Sequence, residues 1–311
     1  MTGTTSGLDR RALGAALITV VVWASAFVGI RDLIGVFSPG SIALGRLSVG
    51  VLALGIVVWR TGWRPVARRD LTLIVASGIA WFAFYNLALN EAERHVDAGT
   101  AAMLTNLGPI FIAVFAAVFL GETLPQRLLA GIAIAFGGAV VIGFATSGAA
   151  SGSESSLIGI VLCVVAALLY GVGVTFQKPA LRNVSPLQVT WIACLTGWLI
   201  CLVFTPTLVA ELQTADTTRI GWLVYLGLFP TSLGFLTWTY ALSRTDAGRL
   251  GATTYLVPPI AIAISWALLG EVPPALAIVG GAACIVGVIV ARSSPRASRP
   301  STVAIVEGDA R

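Results

Sequence analysis

Asp97-Ala98-Gly99-Thr100-Ala101-Ala102-Met103-Leu104-Thr105-Asn106-Leu107-Gly108-Pro109 returns 149 positions later as Asp246-Ala247-Gly248-Arg249-Leu250-Gly251-Ala252-Thr253-Thr254-Tyr255-Leu256-Val257-Pro258. Both copies open on Asp-Ala-Gly and close on Thr-x-Leu-x-Pro, and the correspondence runs on. Gly121-Glu122 falls on Gly270-Glu271, Pro125 on Pro274, Gly131 on Gly280 and Gly138 on Gly287. Upstream, at a spacing of 147, Arg31 meets Lys178 and Ser38-Pro39 meets Ser185-Pro186. At 153, Phe82 meets Phe235, Tyr85 meets Trp238, and Ala88-Leu89 meets Ala241-Leu242. The shift from 153 to 149 predicts a loop difference of about one helical turn. The chain is thus read as two related halves, 1–149 and 150–292, with a disordered tail at 293–311 and a Ser/Gly/Ala-rich linker at 146–156.

The composition says which solvent these halves live in. Hydrophobic residues make up 57% of the 311, charged residues only 11%, and the mean hydropathy is +0.92. Too little charge is present to clothe a water-soluble surface, so the apolar side chains must face lipid or one another. A helix needs about 20 apolar residues to cross the hydrocarbon layer. Ten such runs occur, at 12–30, 38–59, 71–90, 98–120, 128–144, 157–176, 187–204, 220–242, 247–269 and 275–291. Cys163, Cys194, Cys201 and Cys284 all lie within them, form no C-x-x-C pair, and read as small core residues.

Charge then orients the runs. With the N-terminus inside, 15 of the 19 basic residues fall in inside segments, and Arg31, Arg94 and Arg219 alone fall outside, with Arg46 inside a run. Positive charge resists translocation, which predicts a multi-pass inner-membrane protein with both termini cytoplasmic. The net charge of +5 is therefore a topology signal and not a nucleic-acid footprint. A signal peptide ending near Ala24-Ser25-Ala26 is the rival reading of the first run. It is disfavoured because apolar sequence continues to Ile30 and the repeat needs this segment. Since each half holds an odd number of runs, the second enters the membrane from the opposite side, the inverted-repeat arrangement of secondary transporters.

These residues resemble a known family, the EamA-type ten-helix transporters of the drug/metabolite transporter superfamily. The likeness spans 12–291 and rests on Trp23-Ala24-Ser25-Ala26-Phe27, Arg46, the two Ala-Leu pairs, the two prolines and the two Gly-Glu steps. A charged stretch with Glu91, Glu93, Arg94 and His95, and a second proline at Pro259, depart from the pattern. The resemblance implies a basket of helices around a central cavity and alternating access. It also implies substrates such as amino acids or related metabolites, most often exported, and it assigns Trp23, Tyr85, Tyr170, Trp238 and Tyr255 to the cavity.

The residues themselves add candidates. Arg46 is the one charge well inside a run, where a central arginine costs about 2.5–3.5 kcal/mol, so it must face protein or water. It is either an anchor for a substrate carboxylate or phosphate, or a structural arginine bonded to helix-end carbonyls. Pro109 and Pro258 each free the carbonyl four residues earlier, at Thr105 and Thr254, which predicts symmetric helix kinks and polar openings near the midplane. Asn86 and Asn106 are costly in lipid and should point inward. Glu122 and Glu271 end their runs and serve either as helix-end ligands or as gating latches. Asp97 and Asp246 look like N-caps, and His95 is expected to be solvated. Carboxylates are missing from the run cores, which weakens a buried proton relay.

An enzyme would need a nucleophile with its base, or metal ligands, inside the bilayer; one histidine and no H-E-x-x-H leave no such set. No metal or other cofactor is expected, the partners being a small-molecule substrate and lipid, with the chain a monomer or weak homodimer. Within these bounds the reading is export of a small polar metabolite. Efflux of amphipathic drugs, or a membrane scaffold or receptor, stays open.

Overall fold

The computed structural model describes residues 9–33, 35–95, 104–147, 157–269 and 274–293, and these are helical almost throughout. Helix α1 is Arg10–Leu33, α2 Pro39–Thr61 and α3 Arg68–Ala92. Next come α4 (Gly108–Leu120), α5 (Gln126–Ser147), α6 (Leu157–Ala180), α7 (Pro186–Thr214) and α8 (Thr217–Leu242). Helix α9 comes in two pieces, Ala247–Thr253 and Val257–Leu269, joined by a 3-10 turn at Thr254–Leu256; α10 is Ala275–Arg292. Among the described residues six helices, α2, α3, α6, α7, α8 and α10, are long and apolar enough to cross a membrane. Their outward surface fits that solvent, since Leu52 and Trp59 of α2, Leu157 of α6 and Val203 of α7 are more than two-thirds exposed. The four cysteines are free and buried, as small core residues. The 294–311 tail, Asp97, Glu271 and most of the linker lie outside the described residues.

Local chemistry explains where the helices start and stop. Ser38 and Ser185 are N-caps, accepting from the Ser41 and Gln188 amides, and a proline follows each at the first helical position where no donor is lost. Gly121 ends α4 in the left-handed conformation, φ 65°, and the Glu122 amide reaches back to the Ala116 carbonyl. The Gly-Glu step is thus a helix stop that turns a carboxylate away from its own helix. Helix α7 runs past the expected end at 204 because a 3-10 turn at Leu202–Phe204 restarts it, with Pro206 in the first turn of Thr205–Thr214 where proline is tolerated.

Two long interfaces run antiparallel. Helices α5 and α10 pack along most of their length. A Cβ added to Gly138 would stand 2.5 Å from the Gly280 carbonyl, and one on Gly287 2.6 Å from that of Gly131. These glycines let the backbones touch. Between them Cys284 Sγ lies 3.3 Å from the Ala135 carbonyl, and those two residues are 149 apart. On the other side of the molecule α2 and α7 cross in the same manner. Trp191 donates to the Val51 carbonyl and Trp198 to Ser48 Oγ, while Cys194 Sγ lies 3.9 Å from the Leu47 carbonyl, 147 apart.

The long helices are not regular. Residues Gly78–Tyr85 of α3 and Gly227–Gly234 of α8 wind as π-helix. These stretches superimpose at a spacing of 149, one helical turn away from the 153 that matched side-chain types. A four-residue slip keeps side chains on the same helix face, so likeness of composition cannot tell the two registers apart.

Candidate functional site

A π turn leaves carbonyls without their usual amide donors, and side chains take them up. In α3 the Asn86 amide donates to the carbonyls of Trp81, at 3.2 Å, and Phe82, at 3.0 Å. In α8 the Trp23 indole donates to the Pro230 carbonyl at 3.2 Å. Trp81 and Pro230 are 149 apart, so equivalent carbonyls in the two halves are each held by a side chain from within the bundle. Trp23 comes this close because its neighbour Gly234 has no side chain; a Cβ there would stand 2.7 Å from the indole nitrogen.

Arg46, on α2, sits between these stretches and is 7% exposed. Its Nε donates to Thr231 Oγ1 at 2.9 Å and its Nη1 to Asn86 Oδ1 at 3.3 Å. Asn86 is thereby satisfied at both ends, and Thr231 passes its own proton to the Leu226 carbonyl. Arg46 bonds side chains and not helix-end carbonyls, and its fork bridges the two π helices.

Beside this network stands an aromatic cluster. Trp23 stacks on Trp238 with ring centres 5.3 Å apart and meets Trp81 edge-on at 6.0 Å. Tyr170 stacks on Trp81 at 4.8 Å, and Tyr85 lies 6.0 Å from Tyr170. Phe82 and Phe235 close the cluster. Among the described residues, the buried Trp238 indole nitrogen has no hydrogen-bond partner, and the buried Tyr170 hydroxyl faces Thr254. Such an indole donor costs about 1–3 kcal/mol when left dry.

Four of the aromatic candidates, Trp23, Tyr85, Tyr170 and Trp238, therefore come together next to Arg46. Tyr255 does not join them; it packs with Ala113, Ala135 and Cys284 in a separate buried cluster between α9, α5 and α10. Thr254, buried, donates to the Gly251 carbonyl within the 3-10 turn, and Thr105 and Asn106 are half-buried in the turn before α4. Pro109 and Pro258 do not kink continuous helices. Each stands in the first turn of a new helix after a break, where a missing N–H costs nothing. The expected irregularity is present at the expected places, as interruption and not as bending.

At one end of the bundle Glu122 reaches across from α4 to the start of α9. Its Oε1 accepts from the Ala247 amide at 2.8 Å and its Oε2 from Gly248 at 3.1 Å. Burial pushes this carboxyl above the usual range, against the two amides and the charge of Lys178. Asp246 holds the N-cap position but makes no side-chain cap and lies 3.8 Å from Arg249 instead, because Glu122 already fills the cap. Lys178 Nζ donates to the carbonyls of Leu242 and Thr245, at 2.6 and 2.5 Å. Side chains from α4 and α6 thus grip both ends of the α8–α9 connection.

At the other end a cavity of about 260 Å³ opens where α1 meets α2 and α3 ends. Asn90, Glu93, Arg94 and Glu211 line it, with Ser38 and Ile42. His95, expected to be solvated, is half-buried and 3.0 Å from Glu91. Sequence reasoning missed Thr231, Trp81 and Glu93: a threonine or tryptophan in an apolar run has no mark of its own, and Glu93 reads as loop.

Apolar helices long enough to span a bilayer, packed around a buried arginine and an aromatic cluster, make this a multi-pass membrane protein. The chain belongs to the EamA-like transporter family, whose pattern matches residues 10–144 and again 157–293. A "probable terminal-alkyne amino-acid exporter" of Streptantibioticus cattleyicolor is 38% identical over 280 residues, covering 90% of this chain and 93% of its own length. A "probable amino-acid metabolite efflux pump" of Escherichia coli is 26% identical, over 88% and 92%. A crystal structure 17% identical in sequence superposes with a TM-score of 0.75 over 91% of this chain and 97% of its own, a likeness of fold. The transporter family also sets aside the enzyme and scaffold readings.

Proposed function

We propose that this protein exports an amino acid or a closely related small polar metabolite from the cytoplasm, by alternating access of two inverted five-helix repeats. The reading has ten spans in the plasma membrane, both termini inside, and the halves at 1–149 and 150–292. The observation that carries it is the Arg46–Asn86–Thr231 network beside the aromatic cluster, whose buried Trp238 indole nitrogen has no hydrogen-bond partner among the described residues. A guanidinium fork suits a carboxylate, and aromatic walls suit a short side chain. Two further observations support the inverted arrangement. One is the double family match; the other is the antiparallel α5–α10 and α2–α7 contacts at residue pairs 149 and 147 apart. The names of the relatives support the substrate class.

In this reading Glu122 and Lys178 close the cytoplasmic end, and the cavity near Glu93 opens outward. Glu271 and Arg31, their counterparts at 149 and 147, form the matching latch on the outer face when the cycle reverses. Helix breaks at Thr105–Pro109 and Thr254–Pro258 are the joints on which the halves rock, with Asn106 facing the path. The test is efflux from proteoliposomes loaded with L-propargylglycine, a terminal-alkyne amino acid, beside a hydrophobic cation. Saturable amino-acid flux lost in Arg46→Ala supports the reading. Flux of the cation alone transfers it to amphipathic drug efflux, which the aromatic cluster would also serve.

A further inference from the structure

Gln177 of α6 is fully buried, and among the described residues neither its amide nitrogen nor its amide oxygen has a hydrogen-bond partner. Ser77 of α3 is also fully buried, with an unpartnered hydroxyl. Measured contacts on either side put the two at one level of the antiparallel α3–α6 seam. Toward the aromatic cluster, a Cβ on Gly173 would stand 2.6 Å from Trp81 Cβ. In the other direction Asn183 donates to Asp70 at 3.0 Å. Ser77 and Gln177 each lie one turn from the Trp81–Gly173 contact, on the side of Asp70 and Asn183 and on the faces those contacts define.

The internal repeat relates this place to a space that is open. Gln177 corresponds at 147 to Ile30, and Ile30 lines the cavity at the far end of the bundle. Ser77 corresponds at 149 to Leu226, and a Cβ on Gly29, beside Ile30, would lie 3.3 Å from the Leu226 side chain. In the inverted arrangement proposed above, the pair therefore stands where the matching cavity forms when the cytoplasmic end opens. Lys178, the next residue, holds the α8–α9 connection that keeps this end shut. The two mouths differ in chemistry, because the outer one has isoleucine where the inner one has an amide.

An α-amino acid presents a carboxylate that accepts hydrogen bonds and an ammonium group that donates them, and a primary amide beside a hydroxyl complements both. We propose that Gln177 and Ser77 form the cytoplasmic loading subsite for the exported amino acid, sealed and dry while this end is shut and wetted when it opens. The proposal rests on the alternating-access exporter reading above. Since the amide loses its partners each time the end shuts, it also favours reopening.

The test uses the full chain in inside-out membrane vesicles, whose uptake of L-propargylglycine reads loading from the cytoplasmic face. Ser77→Cys should react with a membrane-impermeant maleimide added to these vesicles, and saturating propargylglycine should slow the reaction about tenfold. Gln177→Met, matched in size but without the amide, should raise KM for loading about tenfold. It should also raise the melting temperature in detergent by about 2–4 °C, because an unpartnered buried group is gone. Ser77→Ala should move both quantities in the same directions by less. A lower melting temperature with unchanged KM in both variants makes the pair structural and overturns the proposal. So does a thiol at position 77 that stays unreactive in these vesicles, or one that reacts equally fast with and without propargylglycine. Saturable wild-type uptake alongside any of those results leaves the exporter reading standing. Wild-type vesicles that take up no propargylglycine overturn the exporter reading, and the loading subsite falls with it.

Discussion

Arg46 has little freedom to be anything but central. Its Nε and Nη1 are committed to Thr231 and Asn86, which sit on different helices, and a lysine has no fork with which to hold both. Arg46→Ala should abolish proteoliposome efflux and Arg46→Lys should reduce it at least tenfold. Thr231→Ala, which leaves Nε without its acceptor, should lower unfolding stability by about 1–3 kcal/mol in a thermal-shift assay in detergent. Glu122 makes a second test at this scale. Glu122→Gln keeps one acceptor but turns an NH2 toward a backbone amide, so it should loosen the grip on Ala247 and Gly248 and speed exchange of those two amides with deuterium. Arg46 was legible in the sequence because a charge stands out in an apolar run, and Trp23, Tyr170 and Trp238 because the family resemblance assigns them to the cavity. Thr231 was not, since a threonine among leucines gives no hint of what it bonds, and neither was the exchange of roles between Asp246 and Glu122, which depends on a helix end 125 residues away.

At the scale of the element, the apolar runs marked the helices and missed their irregularities. The π stretches at Gly78–Tyr85 and Gly227–Gly234 leave no compositional trace, because a wider turn is set by packing and by the donors that claim its carbonyls. Proline did mark the breaks in α4 and α9, though as restarted helices. The helix seam offers a sharp contrast between neighbours on α5. A Cβ at Gly138 meets the Gly280 carbonyl at 2.5 Å, whereas one at Gly137 meets nothing within 4 Å. Gly138→Ala should therefore cost about 1–3 kcal/mol through overpacking, while Gly137→Ala should be neutral or slightly stabilising through helix propensity. Melting temperatures of the two purified variants decide the point.

For the whole molecule, the apolar runs and the internal repeat made a helical membrane protein with a doubled family pattern legible, while the meeting of the helices could not be read because sequence carries no distances. Orientation is testable in intact cells, and the burial of all four native cysteines keeps the labelling background low. Asp9→Cys and Ser293→Cys should resist a membrane-impermeant maleimide until the cells are opened, and Thr214→Cys should react at once. Labelling of Asp9→Cys and Thr214→Cys from the same side would sink the proposed topology.

Cys284 touches the backbone of Ala135, the residue that stands in its own place one half earlier. Surfaces that meet their counterparts in this way are self-complementary, so covalent continuity is a convenience and not a requirement of the assembly. Severed within 148–156 and made as two polypeptides, the protein should still reconstitute from its pieces in one membrane, and either piece alone should tend to pair with itself.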